Sequence, residues 1–222
     1  IILAKNSGVT TLAITDHDSI RNHSYLDDED FLTITSMEIT IKERLVSTSV
    51  DRHMKVCHLN LYALEQDNDY NVCYSTDYDY YSPKERVEAI LKENGEDYKR
   101  VYSPEGINKI IEIANEKGFL VTYNHPNWSL NDMDDNLNIE GLWSLEILNY
   151  ATEPETGSEY CPYIYDDMIR HGMYNLKCTM GDDNHNPNGS FSAIEGILSP
   201  DGRVFGKMGH SERIGDGLYK NV

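Results

Sequence analysis

The sequence predicts an α/β fold with parallel strand pairing, on three observations. Short apolar runs alternate with helical segments, capping residues and glycines mark the boundaries of those segments, and metal-capable side chains collect where the apolar runs end. The first run, Thr11-Leu12-Ala13-Ile14, leads directly into Thr15-Asp16-His17-Asp18. This is the form of a buried strand that delivers three polar side chains to its carboxyl end. In a barrel of parallel strands, that end carries the chemistry.

Strands are predicted over 11–15, 31–38, 55–64, 119–123, 143–148, 176–180 and 193–198. Helices are predicted over 83–93, 104–117 and 160–171. The second helix has the strongest boundaries, with Ser103 as N-cap, Pro104 at the first helical position and Gly118 just beyond the end. Its Ile107, Ile110, Ile111, Ile113 and Ala114 fit one helical face. The third closes on Arg170 and His171 before Gly172, a basic last turn followed by glycine. Ile1 to Gly8 has the form of the last two turns of an amphipathic helix stopped by glycine, so a strand and half a helix are expected ahead of residue 1. Residues 66–82 form a polar, tyrosine-rich insertion, expected either as a rim over the barrel mouth or as a loop with its tyrosines packed on the barrel. The tail, 200–222, receives no structural assignment.

At 222 residues and 39% hydrophobic content, the chain is long enough for one sizeable core, so a single domain over 1–222 is expected. No apolar run approaches the roughly 18–20 residues that span a bilayer, and the opening is too quickly polar for a signal peptide. Cys57, Cys73, Cys161 and Cys178 lack metal-type spacing and read as reduced thiols of a cytoplasmic protein. A formal net charge of −19, with no basic stripe, argues against a long nucleic-acid partner. Metal ions would then have to offset the charge of any phosphate ligand.

Candidate ligands follow the strand order. Asp16 and His17 close the first run, Glu38 the second, His58 lies in Val56-Cys57-His58-Leu59, and His125 follows 119–123. Glu146 and Asn149 lie in and just after the next run, and Gly181-Asp182-Asp183-Asn184-His185 follows 176–180. Each has an ordinary explanation alone: a core histidine, a turn. Together they are a mixed imidazole–carboxylate set suited to Zn, Mn or Fe. His23 could rim such a site, whereas His53, His171 and His210 lack the strand context. Arg21, Arg52 and Lys55 lie close enough in sequence to meet a phosphate, with surface solvation the competing explanation.

Ile14-Thr15-Asp16-His17-Asp18-Ser19, Met37-Glu38, Cys57-His58, Asn124-His125-Pro126 and Gly181-Asp182-Asp183-Asn184-His185 together resemble the PHP (polymerase and histidinol phosphatase) family of metal-dependent phosphoesterases. The resemblance implies a distorted (β/α)7, TIM-like barrel with two or three divalent ions (Mn, Zn or Fe) in its mouth. It implies that His17, Glu38, His58, His125, Asp183 and His185 ligate the ions, with Glu38 bridging two of them. Asp16 is placed as a catalytic-site residue that orients an imidazole or water. The family's opening His-x-His pair would lie ahead of residue 1. The implied function is hydrolysis of a small phosphomonoester or nucleotide by metal-bound hydroxide. A nuclease or cyclic phosphodiesterase on the same metals, or a metal-binding regulatory module without turnover, are the alternatives.

Overall fold

The computed structural model describes residues 8–43, 54–80, 82–152, 156–157 and 160–181, and the backbone of 204–207. Among these described residues seven strands form one sheet: β1 (Thr11–His17), β2 (Leu32–Lys42), β3 (Val56–Ala63), β4 (Phe119–Tyr123), β5 (Ser144–Asn149), β6 (Lys177–Gly181) and β7 (Val204–Lys207). Their spatial order is their chain order. β1 and β2 are parallel, β3 runs antiparallel to both β2 and β4, and β4 through β7 are again parallel to their neighbours. The sheet curls until β1 and β7 come into contact, although no ladder joins them among the described residues. The helices are α1 (Lys84–Asn94), α2 (Pro104–Glu116), α3 (Met133–Leu137) and α4 (Pro162–Arg170), with a 3-10 turn at Ser24–Leu26.

This mixed, curled half-barrel with few helices corrects the expected (β/α)7 TIM-like barrel. Such a barrel needs every strand parallel to its neighbours and a crossover helix between each pair. Here β3 reverses direction, which removes the need for a crossover between β2 and β3, and a 3-10 turn is the only helix between β1 and β2. The positions of the strands expected between 11 and 180 nonetheless agree with those observed, and β2 extends four residues further, to Lys42. The expected helix end at 1–7 and strand at 193–198 lie outside the described residues, while β7 forms in the tail.

Side-chain alternation explains how the sheet divides its two faces. On one face, the register sets Met37, Ile39 and Ile41 opposite Leu61, Leu59 and Cys57, and β4 continues it with Val121 and Tyr123. These residues pack with Ile107, Ile110, Ile111 and Ala114 of α2 in the main core. On the other face, inside the curl, lie Glu38 opposite Asn60, Thr40 opposite His58, and Asn60 opposite Thr122. All five are buried, so the sheet carries an apolar outer face and a polar inner one.

Helix α2 begins as expected. The Ser103 side chain accepts a hydrogen bond from the Gly106 amide at 3.1 Å, with Pro104 in the first turn. Gly106 is needed for close approach, because a Cβ there would sit 2.2 Å from the Val101 carbonyl oxygen. Ser103→Ala is expected to cost about 1 kcal/mol through loss of the cap, measurable as a lower urea midpoint with unchanged m-value. An unchanged midpoint would show that the cap adds nothing to stability.

The segment after β3 buries Val72, Cys73, Tyr74 and Tyr78, while Tyr80 is exposed. Beneath it lies Arg100, whose buried guanidinium pairs with Asp18, donates to the carbonyl oxygens of Cys73 (3.0 Å) and Thr40 (2.9 Å), and sits 4.8 Å from the centre of the Tyr78 ring. Among the described residues no helix is long and apolar enough to cross a membrane.

Candidate metal centre

The inner face of the curl brings together three of the expected ligands. His58 Nδ1 lies 3.2 Å from His125 Nε2 and 3.4 Å from Glu38 Oε1, and His125 Nε2 lies 3.6 Å from the same oxygen. The same three atoms close the triangle. A tetrahedral ion with bonds of about 2.0–2.2 Å spaces its ligand atoms about 3.3–3.6 Å apart. Glu38, His58 and His125 thus form a set able to hold a metal ion. They are two imidazoles and one carboxylate, the donor combination of open zinc sites with three protein ligands.

Strand direction explains the convergence. His17 is the last residue of β1 and pairs with Glu38 of the parallel β2. β3 runs the other way, so His58, its third residue, starts beside the same region, one pair diagonally from Glu38. His125 follows β4 by two residues at a φ of +25°, a conformation that a side chain other than glycine's seldom adopts. Its ring and backbone are both held. Nδ1 lies 3.1 Å from Ser129 Oγ, the amide donates to Glu146 Oε2 at 2.9 Å, and Asn149 Nδ2 donates to that oxygen at 3.0 Å. Hydrogen bonding at one imidazole nitrogen fixes which nitrogen is presented as ligand. Trp128 stands against both rings, 5.7 Å from His58 and 5.1 Å from His125 between centroids.

Burial pushes the His58 imidazole below its usual pKa, against the upward pull of Glu38. The ring is therefore neutral at neutral pH, the form that ligates. Glu38 is fully buried, and its Oε1 also accepts from Asn124 Nδ2 at 2.6 Å. Its other oxygen, Oε2, lies 3.4 Å from His17 Nδ1. The carboxylate thus spans two imidazole environments.

The other expected residues stand differently. Asp16 meets His23 Nε2 at 3.3 Å and Arg21 Nε at 3.5 Å, both through Oδ2. Asp18 pairs with Arg100 and accepts from the Thr40 amide at 2.9 Å. Lys55 is held between Asp132 and Asp135, 2.7 Å from each. Asp183 and His185 lie outside the described residues, as do Arg52, His53 and His210. The supporting roles of Ser129, Trp128 and Arg100 had no sequence signal beyond the four-residue spacing of Ser129 from His125.

Residues 172–222 match the family model of the CobB/CobQ-like glutamine amidotransferase domain. The match covers under a quarter of the chain. No curated protein matches the chain. The resemblance to the PHP family is corrected by this result: no model of that family matches, and the family that does is a different class of enzyme. The metal-dependent phosphoesterase or nuclease function implied by that resemblance falls with it. The small phosphorylated substrate had no other support.

Proposed function

We infer that the inner face of the curled sheet binds a divalent transition-metal ion on Glu38, His58 and His125. The second oxygen of Glu38, facing His17, offers a position for another ion. The single observation that carries this reading is the closed triangle of donor atoms, with edges of 3.2, 3.4 and 3.6 Å. An ion held by three such donors acts as a Lewis acid that can activate water or polarise a carbonyl. The chain's own residues hold the site in shape: Ser129 fixes the His125 ring, Glu146, itself held by Asn149, fixes its backbone, and Trp128 packs against both imidazoles. Imidazole with carboxylate suits Zn, Mn or Fe.

The test is titration of zinc, and separately cobalt, into EDTA-stripped full-length chain, followed calorimetrically and by visible absorption. Saturable binding with cobalt bands of low coordination number is expected. Absence of saturable binding by folded protein would overturn the reading.

The match over 172–222 favours a second reading, amidotransferase chemistry contributed by that segment. Release of ammonia from glutamine tests it. Cys178 is the only cysteine in the matched stretch. It is half-buried, and burial raises its pKa, whereas a thiol nucleophile needs thiolate character. Glutaminase activity carried by this segment is nonetheless expected to be lost in Cys178→Ala, whereas activity that survives would place the nucleophile outside the stretch.

A further inference from the structure

Asn124 touches every member of the donor triangle. It precedes His125 in the chain, its backbone amide donates to the His58 carbonyl oxygen at 3.0 Å, and its side-chain Nδ2 donates to Glu38 Oε1 at 2.6 Å. The side chain is fully buried. Its other polar atom, Oδ1, finds no protein partner among the described residues, so the bond to Glu38 is the one polar contact its side chain makes there. A flipped amide would set Oδ1 against the carboxylate, oxygen facing oxygen, so chemistry as well as geometry fixes the donor in this bond.

Each carboxylate oxygen has two acceptor directions. On Oε1, Asn124 takes one and leaves one for an ion shared with His58 and His125. The opposite oxygen, Oε2, faces His17 Nδ1 at 3.4 Å. Contacts at both ends hold the carboxylate against turning to bring both oxygens onto one ion. Such an ion meets two nitrogens and a single oxygen, a donor set that suits four-coordinate, tetrahedral zinc. Manganese favours oxygen-rich, six-coordinate surroundings, which a carboxylate free to chelate with both oxygens would serve better.

We propose that Asn124 is a positioning residue that keeps Glu38 a one-oxygen donor and so makes the centre prefer zinc over manganese. This assignment rests on the metal-binding reading above and narrows its choice of ion. Zinc and manganese are titrated calorimetrically into EDTA-stripped full-length wild type, Asn124→Ala and Asn124→Leu. The leucine fills the space without supplying a donor, which covers the case in which the alanine cavity prevents folding. The ratio of zinc to manganese affinity is expected to fall at least tenfold in either variant. Glu38→Ala and Glu38→Ala/Asn124→Leu complete a double-mutant cycle. With the Glu38 carboxylate gone, Asn124→Leu is expected to change zinc affinity less than twofold. A merely structural role, acting through the His58 or His125 backbone, would cost zinc equally in both backgrounds. That equality, or an unchanged ratio in folded variants while wild type binds zinc, overturns this assignment alone. Wild type that binds neither ion overturns the metal centre together with it.

Discussion

Replacing His125 by alanine is expected to lower zinc affinity by at least about 100-fold, the upper end of what loss of a supporting residue alone costs. His125 supplies one corner of the donor triangle and is held from both sides, by Ser129 at the ring and Glu146 at the backbone. Ser129→Ala removes only the ring contact, so it is expected to cost about 10–100-fold. Thermal denaturation gives an independent readout. A metal at 100 times its dissociation constant stabilises the wild type by about 2.7 kcal/mol, and His125→Ala should lose that gain, read as the difference between each protein's melting points with and without metal. Equal zinc affinity in wild type and His125→Ala would show that the ion sits elsewhere.

The largest loss of stability is expected from Arg100→Met. Arg100 is buried and pairs with Asp18, and its Nε and Nη1 also donate to backbone carbonyls of two different segments. Removing one partner of a buried ion pair leaves an uncompensated charge and costs about 3–5 kcal/mol. The Asp18 carboxylate would be the stranded charge, at a φ of +58° immediately after His17. The double variant Asp18→Asn/Arg100→Met is expected to recover part of the loss, because both charges then leave together. Urea denaturation of the two variants and the wild type measures this. A single variant within about 0.5 kcal/mol of wild type, the usual range of surface substitutions, would show that the pair is solvated in solution.

Much of the sheet was legible from residues. Runs such as Thr11-Leu12-Ala13-Ile14 and Phe119-Leu120-Val121-Thr122-Tyr123 form β1 and β4, because aliphatic, β-branched and aromatic side chains fit a pleated surface buried on both sides. Strand direction was not legible. The alternation that places Leu59 and Leu61 on one face and His58 and Asn60 on the other reads the same whichever way β3 runs. The expected barrel failed at that strand. The convergence of Glu38, His58 and His125 was anticipated in identity, although His58 arrives from the start of an antiparallel strand rather than the end of a parallel one. Arg100 gave no signal, since a single arginine in a polar stretch looks like surface. Its burial depends on Asp18, Cys73 and Tyr78, which are distant in sequence. The supporting bonds of Ser129 and Glu146 depend on the turn that sets His125 at positive φ, which the side-chain pattern does not encode.

Because strand order in space equals strand order in the chain, the sheet can grow by adding each strand to the edge left by the last one. No strand has to be inserted between two that are already paired. That topology favours contacts between neighbouring segments, the condition for comparatively fast folding, and suits a chain emerging from its amino end during synthesis. Glu38 and His58 meet as soon as β3 pairs with β2, whereas His125 arrives only with β4, after the long stretch carrying α1 and α2. The donor triangle is completed late, and its closure reports that the first four strands have found their places.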